Sequence, residues 1–99
     1  MSIEDCRAEI DAIDGELLRL LNERARLALR VGESKRAAGL ALCDRGRERE
    51  VLERARSANR GPLDERAVTK LFRLVIEESR RVQARAMGSA FEGEGEEAL

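Results

Sequence analysis

The sequence predicts an all-α protein of three helices, with a first helix much longer than the other two. Apolar residues recur at alternating steps of three and four over residues 3–38, the spacing of one buried helical stripe. Pro occurs once, Trp, Tyr and His do not occur, and aromatic residues make up 2% of the chain. Charged residues make up 39%, well above the usual quarter, which is typical of helices with highly charged outer faces.

The stripe of the first helix is interrupted by one cation. Its apolar members are Ile3, Cys6, Ile10, Ile13, Leu17, Leu20, Leu27 and Val31. In this register the position between Leu20 and Leu27 should also be apolar, but it is Arg24. A helix of about 36 residues is about 54 Å long, whereas a compact chain of this size has a radius of gyration of about 13 Å. The helix would therefore project from its own domain, and we expect a partner chain to cover it.

Capping and helix-breaking residues predict where each helix begins and ends. Ser2 provides a box-like start for the first helix, and Gly39 is expected to end it. The second helix is predicted from Asp44, as its cap, to about Ala58. The third is predicted to follow Asp64 as its cap.

The domain is expected to occupy residues 1–87, followed by a disordered acidic tail over residues 88–99, which has too few apolar residues to order itself. Neither a signal region nor a membrane-spanning apolar run is visible, so we expect a soluble, cytoplasmic protein without a membrane partner. The net charge of -1 argues against nucleic-acid binding. Cys6 and Cys43 lack metal-binding spacing and are interpreted as reduced thiols.

Polar side chains occupy inward positions on all three predicted helices. Lys35 follows Arg24 by eleven residues, so at 100° per residue both cations share one face. Glu48 lies on the inner face of the second helix, and Ser79 and Gln83 lie on the inner stripe of the third. Burying these groups would cost several kcal/mol unless they contact one another, water or a ligand. A cation-rich pocket that binds a small dianion or dicarboxylate would satisfy them.

Each polar residue also has an ordinary structural explanation. Arg24 could pair with a Glu on a coiled-coil seam and fix its register. Lys35 could extend from the helix end to water, and residues 47–48 could form a solvated ion pair. Asp44 is adequately explained as a cap, and Ser79 as a packing residue that bonds its own helix.

The order and spacing of these residues closely resemble the all-helical class of chorismate mutases over about residues 3–86. The matching positions are Arg7, Ile10, Asp14, Glu23, Arg24, Val31, Gly32, Lys35, Asp44, Arg47, Glu48, Arg49, Leu71, Phe72, Ile76, Glu77, Ser79 and Gln83. The resemblance implies an intertwined helical-bundle homodimer with two active sites spanned by the paired first helices. The implied reaction is the Claisen rearrangement of chorismate to prephenate in phenylalanine and tyrosine biosynthesis, without a cofactor or a metal ion.

The resemblance also implies which residues form the site. The implied substrate-binding residues are Arg7, Arg24, Lys35, Asp44, Arg47, Glu48, Ser79 and Gln83. Lys35 and Gln83 would be catalytic and contact the ether oxygen, while Arg7 and Arg24 would hold the two carboxylates. The two arginines are seventeen residues apart, about 25 Å along a helix. One ligand therefore contacts both only if Arg7 comes from the partner chain.

The remaining implied roles concern the ring hydroxyl and the pocket walls. Glu48, with Asp44, would hold the ring hydroxyl; Ser79 would assist with a carboxylate, and Arg47 would line the site. Arg80 departs from the family pattern, because an apolar residue is often found there. It would either narrow the pocket or face solvent.

Two other functions fit part of the pattern. Isochorismate pyruvate lyase shares the implied fold and the cationic pocket, but the mutase pattern at Asp44, Arg47, Glu48 and Ser79 disfavours it. A non-catalytic helical dimerisation module would explain the stripes. It would not explain why Arg24, Lys35, Glu48 and Gln83 all face inward.

Overall fold

The computed structural model describes residues 1–87, and in this part of the chain the regular elements are three α-helices. They are α1 (Ile3–Ala37), α2 (Arg45–Ala58) and α3 (Glu65–Met87). The predicted all-α fold class with a long first helix is confirmed. None of these helices combines the length and the apolar character that crossing a membrane requires. The tail predicted over residues 88–99 lies outside the described residues.

The ends of α1 are set by local hydrogen bonds, as the sequence predicts. The Ser2 hydroxyl accepts a hydrogen bond from the backbone N–H of Asp5 at 3.0 Å, and the Asp5 carboxylate accepts one from the Ser2 N–H at 3.2 Å. This capping box satisfies donors that the first turn would leave free. At the other end Gly39 has a φ of 72°, which glycine adopts at little cost. The chain therefore turns sharply just after the last turn of α1.

Aspartates cap the two shorter helices. Asp44 Oδ1 accepts a hydrogen bond from the backbone N–H of Arg47 at 3.0 Å, and Asp64 Oδ1 accepts one from Ala67 at 2.8 Å. Between these helices, the Asn59 side-chain amide donates to a carbonyl in the connecting turn at 2.7 Å. These caps fix where α2 and α3 begin, and hence which of their faces meet the rest of the chain.

α3 is the central element of the chain, because it packs against both α1 and α2. The buried hydrophobic side chains of residues 1–86 are Val68 and Ile76, both on α3. Gln83 is buried on the same helix, and Gly32 is buried on α1 where the two helices cross. The core of a single chain is thus small and lies along one face of α3.

The apolar stripe of α1 was predicted to be buried, but one chain does not bury it. Ile10, Ile13 and Leu17 are 53%, 63% and 51% exposed. Leu71 of α3 is also half exposed. The chain measures 53 × 31 × 21 Å and its radius of gyration is 16.8 Å, because α1 projects well beyond the other helices. Helical periodicity identified an apolar face correctly, but within residues 1–87 no second layer covers it.

Candidate active site

A cavity of about 300 Å³ lies between the C-terminal halves of α1 and α3 and the beginning of α2. This volume is at the lower end of the range for small-molecule sites. The apolar part of its wall is formed by Leu27, Ala28, Val31, Leu42, Val51 and Ile76. The predicted site residues that line it are Arg24, Lys35, Asp44, Arg47, Glu48, Ser79 and Gln83. Three helices thus bring seven of the eight predicted residues together, and Arg7 is the exception.

Arg24 is held in the cavity by a hydrogen bond across the α1–α3 contact. Its Nη1 atom donates to the Ser79 hydroxyl oxygen at 2.7 Å, and both residues are half-buried. Ser79 therefore bonds another helix rather than its own. Within residues 1–87 Arg24 forms no ion pair with a glutamate, so a coiled-coil seam pair inside the chain does not explain it either. The guanidinium is positioned with donors left for a ligand.

Gln83 is fixed by α1. Its Nε2 atom donates to the main-chain carbonyl of Ala28 at 2.7 Å, and only 8% of the residue is exposed. An amide nitrogen carries two hydrogens, so one donor remains after this bond. Because Gln83 also lines the cavity, it places a neutral hydrogen-bonding group in the cavity wall.

Gly32 allows Gln83 to pack closely against α1. A Cβ atom at residue 32 would lie 3.2 Å from the Gln83 Cγ atom, tighter than ordinary contact. The side chain of Gln83 would therefore have to shift by a few tenths of an ångström. A side chain at this position of α1 would move a cavity residue without entering the cavity.

Gly32→Ala is expected to lower the kcat of a reaction in this cavity about tenfold, because displacing a positioned cavity group by a fraction of an ångström weakens its contacts with a bound ligand. Replacing Gly by Ala in a helix is more favourable by about 1 kcal/mol. The loss of activity should therefore not be accompanied by a matching fall in melting temperature. Gly15→Ala is the matched control: it lies on α1, and its Cβ would meet nothing within 4 Å. Steady-state kinetics and thermal melts of both variants test this. Equal kcat values for the two would contradict it.

Lys35 connects the end of α1 to the loop before α2. Its Nζ atom donates to the main-chain carbonyl of Leu42 at 3.1 Å, and the residue is half-buried. The side chain therefore points into the cavity rather than extending to water. Asp44, at the end of this loop, also lines the cavity while its carboxylate caps α2. Asp44 can both cap α2 and contact a ligand, because capping occupies one carboxylate oxygen and leaves the other available.

Arg47 and Glu48 do not pair with each other, so their interpretation as a solvated ion pair is wrong. The Arg47 guanidinium lies 3.2 Å from a carboxylate oxygen of Glu50, three residues along α2. Glu48 instead meets Arg80 of α3, with 3.4 Å between Oε2 and Nε. The side chains of adjacent helical residues point in directions about 100° apart, so Arg47 and Glu48 form their ion pairs on different sides of α2.

Sequence reasoning left the position of Arg80 open, and the structure places it in the cavity wall. The signal that could have decided this was helical spacing. Ile76, Ser79, Arg80 and Gln83 stand at i, i+3, i+4 and i+7, which is one face of α3. All four line the cavity. Arg80 remains half exposed at its edge, so it narrows the cavity without closing it.

The charged residues in the wall favour an anionic ligand. The cations are Arg24, Lys35, Arg47 and Arg80, and the anions are Asp44 and Glu48. The wall therefore carries two more positive than negative charges. Partly enclosed charges of one sign attract and retain ligands of the opposite sign. A ligand with two carboxylates would neutralise the excess.

Arg7 lies on the second turn of α1 and does not line this cavity. About 25 Å of helix separates it from Arg24, as the rise per residue requires. A contribution of Arg7 to the same ligand from a second chain remains a prediction.

A model of the family described as chorismate mutase type II matches residues 6–84, most of the chain. The chain belongs to this family. A chorismate mutase from Methanocaldococcus jannaschii is 33% identical over 82 residues, which cover 82% of this chain and 83% of the relative. The structure of a chorismate mutase (form II) from Thermus thermophilus superimposes with a TM-score of 0.82 at 35% identity. That match covers 84% of this chain and 94% of the other.

Other relatives of this chorismate mutase family member are much longer. The bifunctional chorismate mutase/prephenate dehydratase of Aquifex aeolicus is 42% identical over 78 residues. The match covers 75% of this chain but 22% of that protein. The chain therefore corresponds to about a fifth of the bifunctional relative and to most of the chorismate mutases from Methanocaldococcus jannaschii and Thermus thermophilus.

Proposed function

We propose that this protein is a chorismate mutase that converts chorismate to prephenate by a Claisen rearrangement. The observation that supports this most directly is the cavity, in which seven of the predicted site residues meet. Its wall carries two excess positive charges, and chorismate is a dicarboxylate. Membership of the family and the likeness to relatives named chorismate mutase, most of whose length the chain covers, support the same proposal.

The residues of the cavity suit a reaction that needs neither a nucleophile nor proton transfer. As the ether bond breaks, negative charge develops on its oxygen. Donors aimed at that oxygen stabilise the transition state more than the ground state. Lys35 supplies a cation, and Gln83 supplies the amide hydrogen that its bond to the Ala28 carbonyl leaves free. These two residues are proposed as the catalytic pair.

The substrate must also be folded so that its enolpyruvyl arm lies over the ring. Arg24, positioned by Ser79, would hold one carboxylate through two parallel hydrogen bonds. A second clamp on the other carboxylate would fix the arm, which reduces the entropy lost on reaching the transition state. Glu48 would accept the hydrogen of the ring hydroxyl at the start of α2.

The second clamp is proposed to be Arg7 of a partner chain in a homodimer. The exposed apolar stripe of α1 supports this, because large apolar surfaces of this kind commonly mark protein interfaces. Antiparallel pairing of two α1 helices about a two-fold axis would cover the stripe. It would also bring Arg7 of each chain to the Arg24 end of the other.

Mixed dimers test the origin of Arg7. Homodimers of Arg7→Ala and of Arg24→Ala are both expected to lose most activity, since each change removes a carboxylate clamp from both sites. A dimer of one Arg7→Ala chain with one Arg24→Ala chain should regain about half the native activity, because both substitutions fall in the same site. The two chains can carry different affinity tags, so that the mixed dimer is purified before assay.

A reciprocal control is the dimer of a native chain with a chain carrying both substitutions. It should be nearly inactive if Arg7 acts across the interface, because each site then lacks one clamp. If Arg7 acted within its own chain, the two results would be exchanged.

The activity itself is tested by supplying chorismate and isochorismate separately and identifying the products. Prephenate from chorismate is the expected result. Formation of salicylate and pyruvate from isochorismate, without turnover of chorismate, would identify the lyase instead. No turnover of either substrate would favour the non-catalytic dimerisation module.

We also place the reaction in the cytoplasm. Cys6 and Cys43 are both free. Free thiols are the usual state of cysteine in reducing compartments, which supports this location.

A further inference from the structure

Arg80 and Glu48 form an ion pair across the contact between α2 and α3. The Nε atom of Arg80 lies 3.4 Å from Oε2 of Glu48, and both residues line the cavity. The Glu48 side chain is 25% exposed, whereas that of Arg80 is 47% exposed. The pair therefore stands at the edge of the cavity, with the carboxylate on its inner side.

Among the described residues, Glu48 forms an ion pair with one cation, which is Arg80. The neighbouring Arg47 is engaged with Glu50, and Lys35 donates to the carbonyl of Leu42. The orientation of the Glu48 carboxylate therefore depends on a residue of α3 rather than on its own helix.

We propose that Arg80 is a positioning residue for the mutase reaction, which holds Glu48 Oε2 so that the other carboxylate oxygen accepts the ring hydroxyl of the substrate. This inference rests on the proposed function. A glutamate has several rotatable bonds, and fixing one oxygen restricts the positions available to the other. The face of α3 that supplies Ser79 and Gln83 thereby controls a residue of α2 as well.

Removing Arg80 is expected to raise KM more than it lowers kcat, because the ring hydroxyl is bound both before and during the rearrangement. Arg80→Gln removes the charge while keeping a polar side chain of some length. It should lower kcat/KM about tenfold, the lower end for an interaction with a charged group, since the pair is partly open to solvent. Arg80→Lys keeps the charge and should retain most of the activity. A role in folding alone would leave KM unchanged.

The decisive experiment is a double-mutant cycle with Glu48→Gln, measured as kcat and KM for chorismate. If Arg80 acts through Glu48, Arg80→Gln changes kcat/KM strongly in the native background and little in the Glu48→Gln background. Effects that multiply would overturn the inference, because Arg80 would then act independently of Glu48. A native protein that yields no prephenate overturns the proposed function and this inference with it. If the native protein is active but the effects of Arg80→Gln and Glu48→Gln on kcat/KM multiply, this inference alone is overturned.

Arg81→Gln is the matched control. Arg81 follows directly on α3 and pairs with Glu78 at 3.8 Å, but its side chain is 69% exposed and does not line the cavity. Its loss should leave kcat and KM at native values. Thermal melts of Arg80→Gln and Arg81→Gln should agree closely. A melting temperature that falls only for Arg80→Gln, with an unchanged KM, would assign Arg80 to stability instead.

Discussion

Lys35→Ala is expected to lower kcat at least a hundredfold. The Lys35 ammonium is the one proposed to face the oxygen on which charge develops. Removing a donor of this kind typically costs about 2.7 to 4 kcal/mol of transition-state stabilisation. The effect should appear in kcat more than in KM, because the charge on the oxygen is largest in the transition state. Single-turnover or steady-state kinetics with chorismate measure it.

The same substitution removes the hydrogen bond from Lys35 to the Leu42 carbonyl, so loop placement must be separated from chemistry. Arg36→Ala is a suitable control, because Arg36 is the next cation in the last turn of α1 and is exposed outside the cavity. It should retain native kcat, and circular dichroism should show both variants folded. Turnover of Lys35→Ala close to the native value would remove Lys35 from the proposed catalytic pair.

Gln83→Glu is expected to make activity depend on acid, whereas the native enzyme should be nearly independent of pH near neutrality. An amide donates a hydrogen bond at any pH, but a carboxyl group donates only when protonated. The ordinary pKa of glutamate is about 4.3, and burial beside the carbonyl of Ala28 would raise the pKa of the introduced carboxyl. The protonated form is favoured in the folded state, so both stability and kcat should increase as pH falls.

Gln83→Ala provides the comparison, because it lacks a donor at every pH and should be weakly active throughout. Profiles of kcat/KM for native, Gln83→Glu and Gln83→Ala proteins over the acid to neutral range distinguish these cases. An unchanged profile for Gln83→Glu would show that Gln83 does not contact the ether oxygen.

Local signals predicted the helices well because the relevant interactions are local. The box at Ser2, the caps at Asp44 and Asp64 and the stop at Gly39 each involve neighbouring residues, and the structure contains all of them. The length of α1 followed from an apolar helical period that Arg24 interrupts but that no proline breaks. Such features depend on a few positions of sequence and little on the rest of the fold.

The hydrogen bonds and ion pairs between different helices were harder to predict from the sequence. That Arg24 and Gln83 face inward follows from periodicity, but that they bond Ser79 and the Ala28 carbonyl depends on how α1 and α3 cross. The Arg80–Glu48 pair likewise requires the packing of α3 on α2. The exposure of the α1 stripe was missed for the same reason, because a helical period identifies an apolar face but not the element that covers it.

The burial of Gln83 has a consequence for how this protein could evolve. In a chain with so few buried side chains, a polar group proposed for catalysis occupies a place that an apolar residue would fill more favourably. Selection for thermal stability alone would favour Met or Leu at this position and is expected to leave only weak turnover. Stability and activity are therefore expected to compete at residue 83. The proposed reaction needs an amide there, whereas an apolar side chain would make the fold more stable.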